Sequence, residues 1–185
     1  MATLDRTRIV DMGFASVGER VAISDRASFY NCGQISLGND VRIDDFCVLS
    51  AGSGGIFIGS YVHIAVYSSL IGAGAIRLGD FVNLSSKVAI YSSTDDFSGE
   101  WMTNPIVPSG FTGVVHADVT VGRHVVIGSG SVVLPGVTLG DGVAVGALSL
   151  IKRDCEQFGV YAGVPARRIG ERKRRILDLE RQLLK

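Results

Sequence analysis

Two residues with the chemistry to handle a proton or hold a polar ligand occupy equivalent places in this chain. His63 ends the hexapeptide Ile58-Gly-Ser-Tyr-Val-His63, and Asn83 ends Leu78-Gly-Asp-Phe-Val-Asn83. If the two hexapeptides are neighbouring strands, their backbones lie about 4.7–4.9 Å apart and both side chains point outward as one polar pair. Histidine is the natural base near neutral pH, which makes His63 the first candidate for proton transfer. A second group lies in the stretch from Tyr91 to Val114, where Asp95 and Asp96 precede Ser98-Gly99-Glu100, Trp101 and Asn104. Carboxylates and an amide accept hydroxyl hydrogen bonds while a ring stacks on a pyranose face, so Tyr91, Glu100, Trp101 and Asn104 form a carbohydrate-binding set together with Asn83. The plainer alternative is a loop capped by its own carboxylates through Asx-type turns.

The elements that must position these groups are written in a six-residue period. The 36 residues from Val115 to Leu150 divide into six hexapeptides opening on Val115, Val121, Ile127, Val133, Leu139 and Val145, with Gly at four of the second positions. A period of six fits the two-residue pleat of a strand plus a corner, and three units close a triangular coil whose aliphatic openers stack inward. No single unit can bury its side chain alone, so stability must come from stacking. The register recurs upstream at Leu37, Ile43 and Leu49, at Ile58 and Ile64, and at Leu78, Leu84 and Ile90, with Gly52–Gly55 and Gly72–Gly74 absorbing extra residues as wider corners. Val17, Ile23 and Phe29 form a weaker first coil. The expected architecture is all-β: a parallel β-helix over 1–170 with an extruded loop at 91–114, then a helix over 171–185. Ile176, Leu179 and Leu183, with Leu177 and Leu184, give that segment its helical spacing.

Composition narrows the function classes. The 18 Lys and Arg balance the 18 Asp and Glu, so no overall field recruits nucleic acid or a membrane surface. The absence of a long apolar run or apolar leader predicts a cytoplasmic protein without membrane insertion. The three cysteines lack metal-ligand spacing, and Cys47 and Cys155 fall at inward fifth positions. His63, His116 and His124 sit at different points of the repeat, which argues against a shared zinc.

The segments Gly128-Ser-Gly-Ser-Val-Val-Leu-Pro135-Gly136, Val145-Gly-Ala-Leu-Ser149 and Ala162-Gly-Val-Pro165-Ala-Arg167 resemble the C-terminal signature of the hexapeptide-repeat acyltransferases, in particular those that acetylate sugars. The resemblance spans residues 17–170. It implies a left-handed winding, a homotrimer, acetyl-CoA as co-substrate without a metal, and sites in grooves between subunits. It places Ser129, Ala147 and Ser149 beside the pantetheine arm, Lys152, Arg153, Arg167 and Arg168 near the phosphates, and His124 as a wall of the cofactor site. The basic four could equally be a solvated edge.

His63 resembles a histidine that related acetyltransferases place beside the thioester. Galactoside and antibiotic acetyltransferases carry a catalytic His near the start of the long loop, where this chain reads Ser93-Thr94-Asp95-Asp96. Three readings follow: Asp95 or Asp96 acts as base with a pKa raised by burial, the carboxylates hold the sugar while His63 moves the proton, or an amine acceptor attacks without prior deprotonation. The leading expectation is O-acetylation of a sugar in surface polysaccharide or sugar-nucleotide metabolism. The alternatives are N-acetylation of a nucleotide-linked amino sugar and a non-catalytic trimeric scaffold.

Overall fold

The structure, a computed structural model, describes residues 2–185 and is a three-sided stack of short parallel strands. Face one holds Ser16–Val17, Ile35–Leu37, Ile56–Ile58, Ile76–Leu78, Val119–Val121 and Thr138–Leu139. Face two runs through Ala22–Ile23, Arg42–Ile43, His63–Ile64, Asn83–Leu84, Val126–Ile127, Ala144–Val145 and Gly159–Gly163. Face three runs through Ser28–Tyr30, Val48–Ala51, Ser69–Gly72, Ala89–Tyr91, Val132–Val133 and Leu150–Ile151. The chain visits the three faces in turn, so each strand pairs with its equivalent one coil later.

The openers form the core. Ile43, Ile64, Leu84, Ile127 and Val145 are in direct register on face two, and all are at most 4% exposed. Fifth positions also point inward: Val119, Val125, Val137, Val143 and Cys47 are buried. The buried serines at such places keep their hydroxyls satisfied, as Ser68 donates to Ser85 O at 3.1 Å and Ser131 to Gly146 O at 3.0 Å.

Corners impose two further demands. At second positions neighbouring coils nearly touch: a Cβ on Gly79 would lie 2.9 Å from the Arg123 nitrogen. At fourth positions the backbone is left-handed even where the residue is aromatic, as in Phe46 (φ 60°), Tyr67 (φ 63°), Tyr61 (φ 58°) and Phe81 (φ 61°). That conformation costs about 1–2 kcal/mol per non-glycine residue. Ring stacking offsets it, with centroids 4.8 Å apart for Tyr61 and Phe81 and 4.9 Å for Phe46 and Tyr67.

Several boundaries differ from the sequence reading. Val115 does not open a coil: it is 57% exposed, and Val115–His116 pairs antiparallel with Ser93–Thr94 as the neck of the extruded loop. The repeat resumes at Val119, because the neck uses Val115 to return the chain to the prism. The C-terminal segment enters its helix later than residue 171. Ala166–Glu171 first turns back as a strand antiparallel to Gly159–Gly163, and the helix is Arg175–Leu183. At the other end a helix at Arg6–Asp11, unsignalled by periodicity, lays Ile9 over the open core at 1% exposure. No helix among the described residues is long and apolar enough to cross a membrane.

Leu84→Ala should cost about 2–5 kcal/mol, because this side chain is fully buried between the openers of two adjoining coils. Denaturant unfolding checks this, and a loss under 1 kcal/mol would contradict stacking as the source of stability.

Candidate active site

The corner between faces two and three organises the polar groups. Its third positions are Asp45, Val66, Ser86, Ser129 and Ala147, and its fourth positions are Phe46, Tyr67, Lys87, Gly130 and Leu148. Backbone bonds fix the alignment: Tyr67 N–H donates to Asp45 O at 3.1 Å, Lys87 to Val66 O at 3.0 Å, Gly130 to Ser86 O at 3.0 Å and Leu148 to Ser129 O at 2.9 Å. Ser129 and Ala147 are therefore neighbours on one exposed lane, and Ser86 and Val66 continue it toward the N-terminal coils.

A hydrogen-bonded row lies beside this lane on face two. His63 and Asn83 meet as their spacing requires, with Nδ1 and Oδ1 3.0 Å apart. The other ring nitrogen, Nε2, lies 2.9 Å from Asp44 Oδ2, and Arg42 Nε donates to Asp44 Oδ1 at 2.7 Å. Burial alone would push the Asp44 carboxyl up, but the bonds from Arg42 and His63 outweigh it and hold the pKa below the usual carboxylate range. An ionised carboxylate only accepts, so Nε2–H donates to Asp44. The Asn83 amide oxygen can likewise only accept, so Nδ1–H donates to Asn83 Oδ1 and the Asn83 NH2 faces away from the ring. Both nitrogens of His63 are occupied, which leaves it poorly placed to take a substrate proton directly. Sequence reasoning missed Asp44 and Arg42, although Arg42 ends the hexapeptide preceding that of His63 and pairs with it in register.

The extruded loop treats its two adjacent aspartates differently. Asp96 does not have a pKa raised by burial. Its carboxylate accepts from the Ser98 hydroxyl at 2.8 Å and from the backbone N–H groups of Ser98, Gly99 and Trp101. The Ser98 hydroxyl above all, with those N–H groups, pulls the pKa below the ordinary range. Asp96 is therefore a turn cap. Asp95 is exposed, and its backbone carbonyl accepts from Thr94 Oγ1 at 3.3 Å, leaving the carboxylate outside this turn. Asn104 is likewise spent locally, with Oδ1 accepting from Ile106 N–H at 2.8 Å. Trp101 is half-exposed and packs on Gly113, where a Cβ would lie 2.5 Å from the indole. Glu100 is exposed at the loop surface, while Tyr91 stays on face three in register with Ile71. At the neck His116 is exposed, with Nδ1 2.7 Å from Ser93 Oγ.

At the C-terminal end Lys152, Arg153, Arg167 and Arg168 converge on one cavity of about 170 Å³, with Asp154 and Tyr161 also in its wall. The expected phosphate cations thus form a cluster. Ser149 does not offer its side chain to the lane: it is 2% exposed, and its hydroxyl donates inward to Gly146 O at 2.7 Å, as a fifth position dictates. His124 is on the other corner of face two, between faces one and two, and cannot border the same arm as Ser129 and Ala147 within one chain. It stacks on Phe81 at 4.7 Å, and its Nε2 lies 2.7 Å from Glu180 of the C-terminal helix.

Comparison with known proteins gives the family. Residues 114–153 match the family model described as bacterial transferase hexapeptide (six repeats). Over 180 residues the chain is 57% identical to a dTDP-4-amino-4,6-dideoxy-D-glucose acyltransferase of Escherichia coli, covering 97% of this chain and 94% of that protein. The chain belongs to the hexapeptide-repeat acyltransferases. Its stacked coils are the left-handed parallel β-helix of that family. Among solved structures it is similar to AntD, an N-acyltransferase from Bacillus cereus in complex with dTDP and 3-hydroxybutyryl-CoA. There the TM-score is 0.95 and the identity 44%, over 98% of this chain and 96% of that one. An AntD variant in complex with dTDP-4-amino-4,6-dideoxyglucose and coenzyme A superposes at a TM-score of 0.96 with 43% identity, over 99% of this chain and 97% of that one.

Within this acyltransferase, Glu180 fastens the C-terminal helix to the prism. Its bond to His124 above all, joined by Arg123 and opposed by partial desolvation, holds its carboxyl below the ordinary range. A depressed pKa stabilises the docked helix above the unfolded value, about 4.3, and that contribution disappears as pH falls through the lower folded value. Amide protection factors across Arg175–Leu183, taken relative to the intrinsic exchange rate at each pH, should fall only in acid, and Glu180→Gln should lower them at pH 7; equal protection in the variant and the parent at pH 7 would contradict the tether.

Burial pushes the Cys47 and Cys155 thiols up to about 11, Cys155 also feeling the charge of Asp154. Both should resist iodoacetamide at pH 8 in the folded protein and react only on unfolding, as peptide mapping of the alkylated chain would show.

Proposed function

We propose that this enzyme transfers an acyl group from acyl-CoA to the amine of a dTDP-linked 4-amino-4,6-dideoxy sugar, working as a homotrimer with active sites in the clefts between copies. The observation that carries this reading is the 57% identity to the Escherichia coli acyltransferase of that sugar nucleotide along nearly the full length of both chains. It favours the amine alternative over the leading expectation of a hydroxyl acceptor. The chemistry of the site supports the same choice. His63 is bonded at both nitrogens, and the usual loop histidine is replaced by carboxylates, so neither of these places offers the free imidazole that a sugar hydroxyl needs. A neutral amine needs no base before attack.

In this reading the pantetheine arm lies on the lane at Ser129 and Ala147, and the coenzyme A phosphates reach Lys152, Arg153, Arg167 and Arg168. The thioester then falls near Ser86 and Asn83. The outward Asn83 NH2, held by the bond from His63 to its Oδ1, donates to the thioester carbonyl oxygen and turns the carbonyl carbon toward the amine. As the C–N bond forms and the C–S bond breaks, the surplus amine proton passes to a carboxylate and from it to the departing coenzyme A sulfur, which leaves as the thiol. We assign this role to Asp95, whose carboxylate stands outside the Asp96 turn, presented by the loop across the cleft.

The purified protein should release free thiol from acetyl-CoA with dTDP-4-amino-4,6-dideoxyglucose as acceptor and elute at the mass of three 19.6-kDa chains. Asp95→Asn should lower kcat by about 10²-fold or more, the range of general acid–base catalysis. His63→Ala should cost only about tenfold, as expected for loss of a positioning hydrogen bond. A larger loss for His63→Ala than for Asp95→Asn would reverse the assignment, and no thiol release with the amino sugar would reject the acceptor.

A further inference from the structure

Ser93 and His116 face each other across the neck of the extruded loop, and both stand outside the buried core. One hydroxyl joins the prism to both strands of the neck: Ser93 Oγ accepts from Ala73 N–H of the prism corner at 2.7 Å and lies 2.7 Å from Nδ1 of His116 on the returning strand. Having accepted from the backbone, the hydroxyl gives its own hydrogen to the Nδ1 lone pair of the neutral ring. The residue before it is rooted more deeply. Ser92 is fully buried, its hydroxyl donates to Gly74 O at 2.7 Å, and its carbonyl accepts from Ala117 N–H at 3.0 Å. The corner beneath is tight, since a Cβ on Gly74 would lie 2.8 Å from the Ala117 carbonyl carbon.

Beyond the neck the loop is tied to itself. Asp96 caps the turn that runs to Trp101, Met102 N–H donates to Phe111 O at 3.0 Å, and Trp101 packs on Gly113. A unit held together internally takes its orientation from its base, and that base has two residues of antiparallel strand on each side. So short a ribbon is marginal by itself, which leaves the side-chain bond between Ser93 and His116 to fix its angle to the prism. Asp95 follows Thr94 directly, and residues two apart on an extended chain share a face, so an extended exit from the neck sets Asp95 on the face of the Ser93–His116 pair.

We propose that Ser93 and His116 are a positioning pair for acyl transfer, a clasp that sets the loop neck so that Asp95 is held at the reacting centre. The inference rests on Asp95 being the proton acceptor, as assigned above. Two observations favour positioning over bracing of the fold. His116 is exposed and covers no part of the core, so its ring adds little to stability. The root of the loop is also secured without it, by the buried Ser92 and the backbone bond from Ala117. What the clasp adds is direction, and the nearest polar group downstream that needs direction is the Asp95 carboxylate.

The test measures steady-state thiol release from acetyl-CoA with the dTDP-amino sugar, for the full-length chain and its variants. His116→Ala and Ser93→Ala should each lower kcat about tenfold, the loss of one orienting hydrogen bond, with both KM values near those of the parent. His116→Asn should return kcat to within a few fold of the parent, because an amide oxygen there can accept from Ser93 as Nδ1 does. In an Asp95→Asn background His116→Ala should cost nothing further, since a residue that acts through another loses its effect once the other is gone. Additive losses in the double variant would overturn the inference. So would a joint fall in melting temperature and kcat for His116→Ala that His116→Asn leaves unrepaired, which marks a brace of the fold. If Asp95→Asn lowers kcat while His116→Ala and Ser93→Ala both keep the parental value, the clasp is wrong and the proton assignment stands. If Asp95→Asn itself keeps the parental kcat, the proton assignment fails and the clasp falls with it.

Discussion

Everything in this molecule depends on the inward stacking of equivalent aliphatic side chains from coil to coil. Each hexapeptide places one opener and one fifth-position residue inside, and strand hydrogen bonds such as His63 N–H to Val82 O at 3.0 Å lock successive coils in register. Burying an aliphatic side chain is worth about 1.5–3 kcal/mol, but only when a coil above and a coil below supply the apolar contact. The same register that builds the core aligns the outside. Outward residues separated by about twenty positions in sequence become neighbours, and functional rows arise without any local motif.

The outer rows divide the work along the axis. On the corner between faces two and three the third-position lane passes from Asp45 through Ser86 to Ala147, and the cations gather at its C-terminal end around the cavity lined by Lys152 and Arg167. The row from Arg42 to Asn83 flanks the middle of that lane. Its four side chains are joined end to end, so the Asn83 amide is oriented by its bond to His63, whose ring is held in turn by Asp44. The opposite corner of face two serves a structural end, with His124 and Arg123 clamping the C-terminal helix through Glu180. Two corners with similar sequences thus carry different duties, because one is covered by the chain and the other is left open.

Where a residue obeys the six-residue period, sequence and structure agree. The openers, the inward cysteines and the His63–Asn83 pairing follow from spacing alone, because a strand fixes which way each side chain points. The errors fall where the period ends or where a side chain has more than one possible partner. Val115 keeps the spacing of an opener, yet it belongs to an antiparallel neck that no hexapeptide count distinguishes from a strand of the prism. Ser149, which the resemblance sets beside the pantetheine arm as a small residue, turns its hydroxyl inward as its fifth position requires. Asp96 looks like its neighbour Asp95 in sequence, and only the loop geometry shows four donors converging on one carboxylate and sparing the other. Asp44 escaped notice because it is a second-position residue reaching up one coil to a sixth-position histidine, a diagonal contact that spacing within one row does not reveal. The helix at Arg6–Asp11 has too few apolar positions for a periodic signal, and Ile9 acts alone as its contact with the core.

The central claim is that the open corner carries the acyl donor and brings its thioester to Ser86 and Asn83. A crystal structure of the enzyme with coenzyme A bound tests it most directly. The account predicts the pantetheine arm along Ser129 and Ala147, with its thiol near Ser86. Coenzyme A bound instead along the corner of Tyr61, Phe81 and His124, with the lane at Ser86 and Ser129 empty, would contradict it.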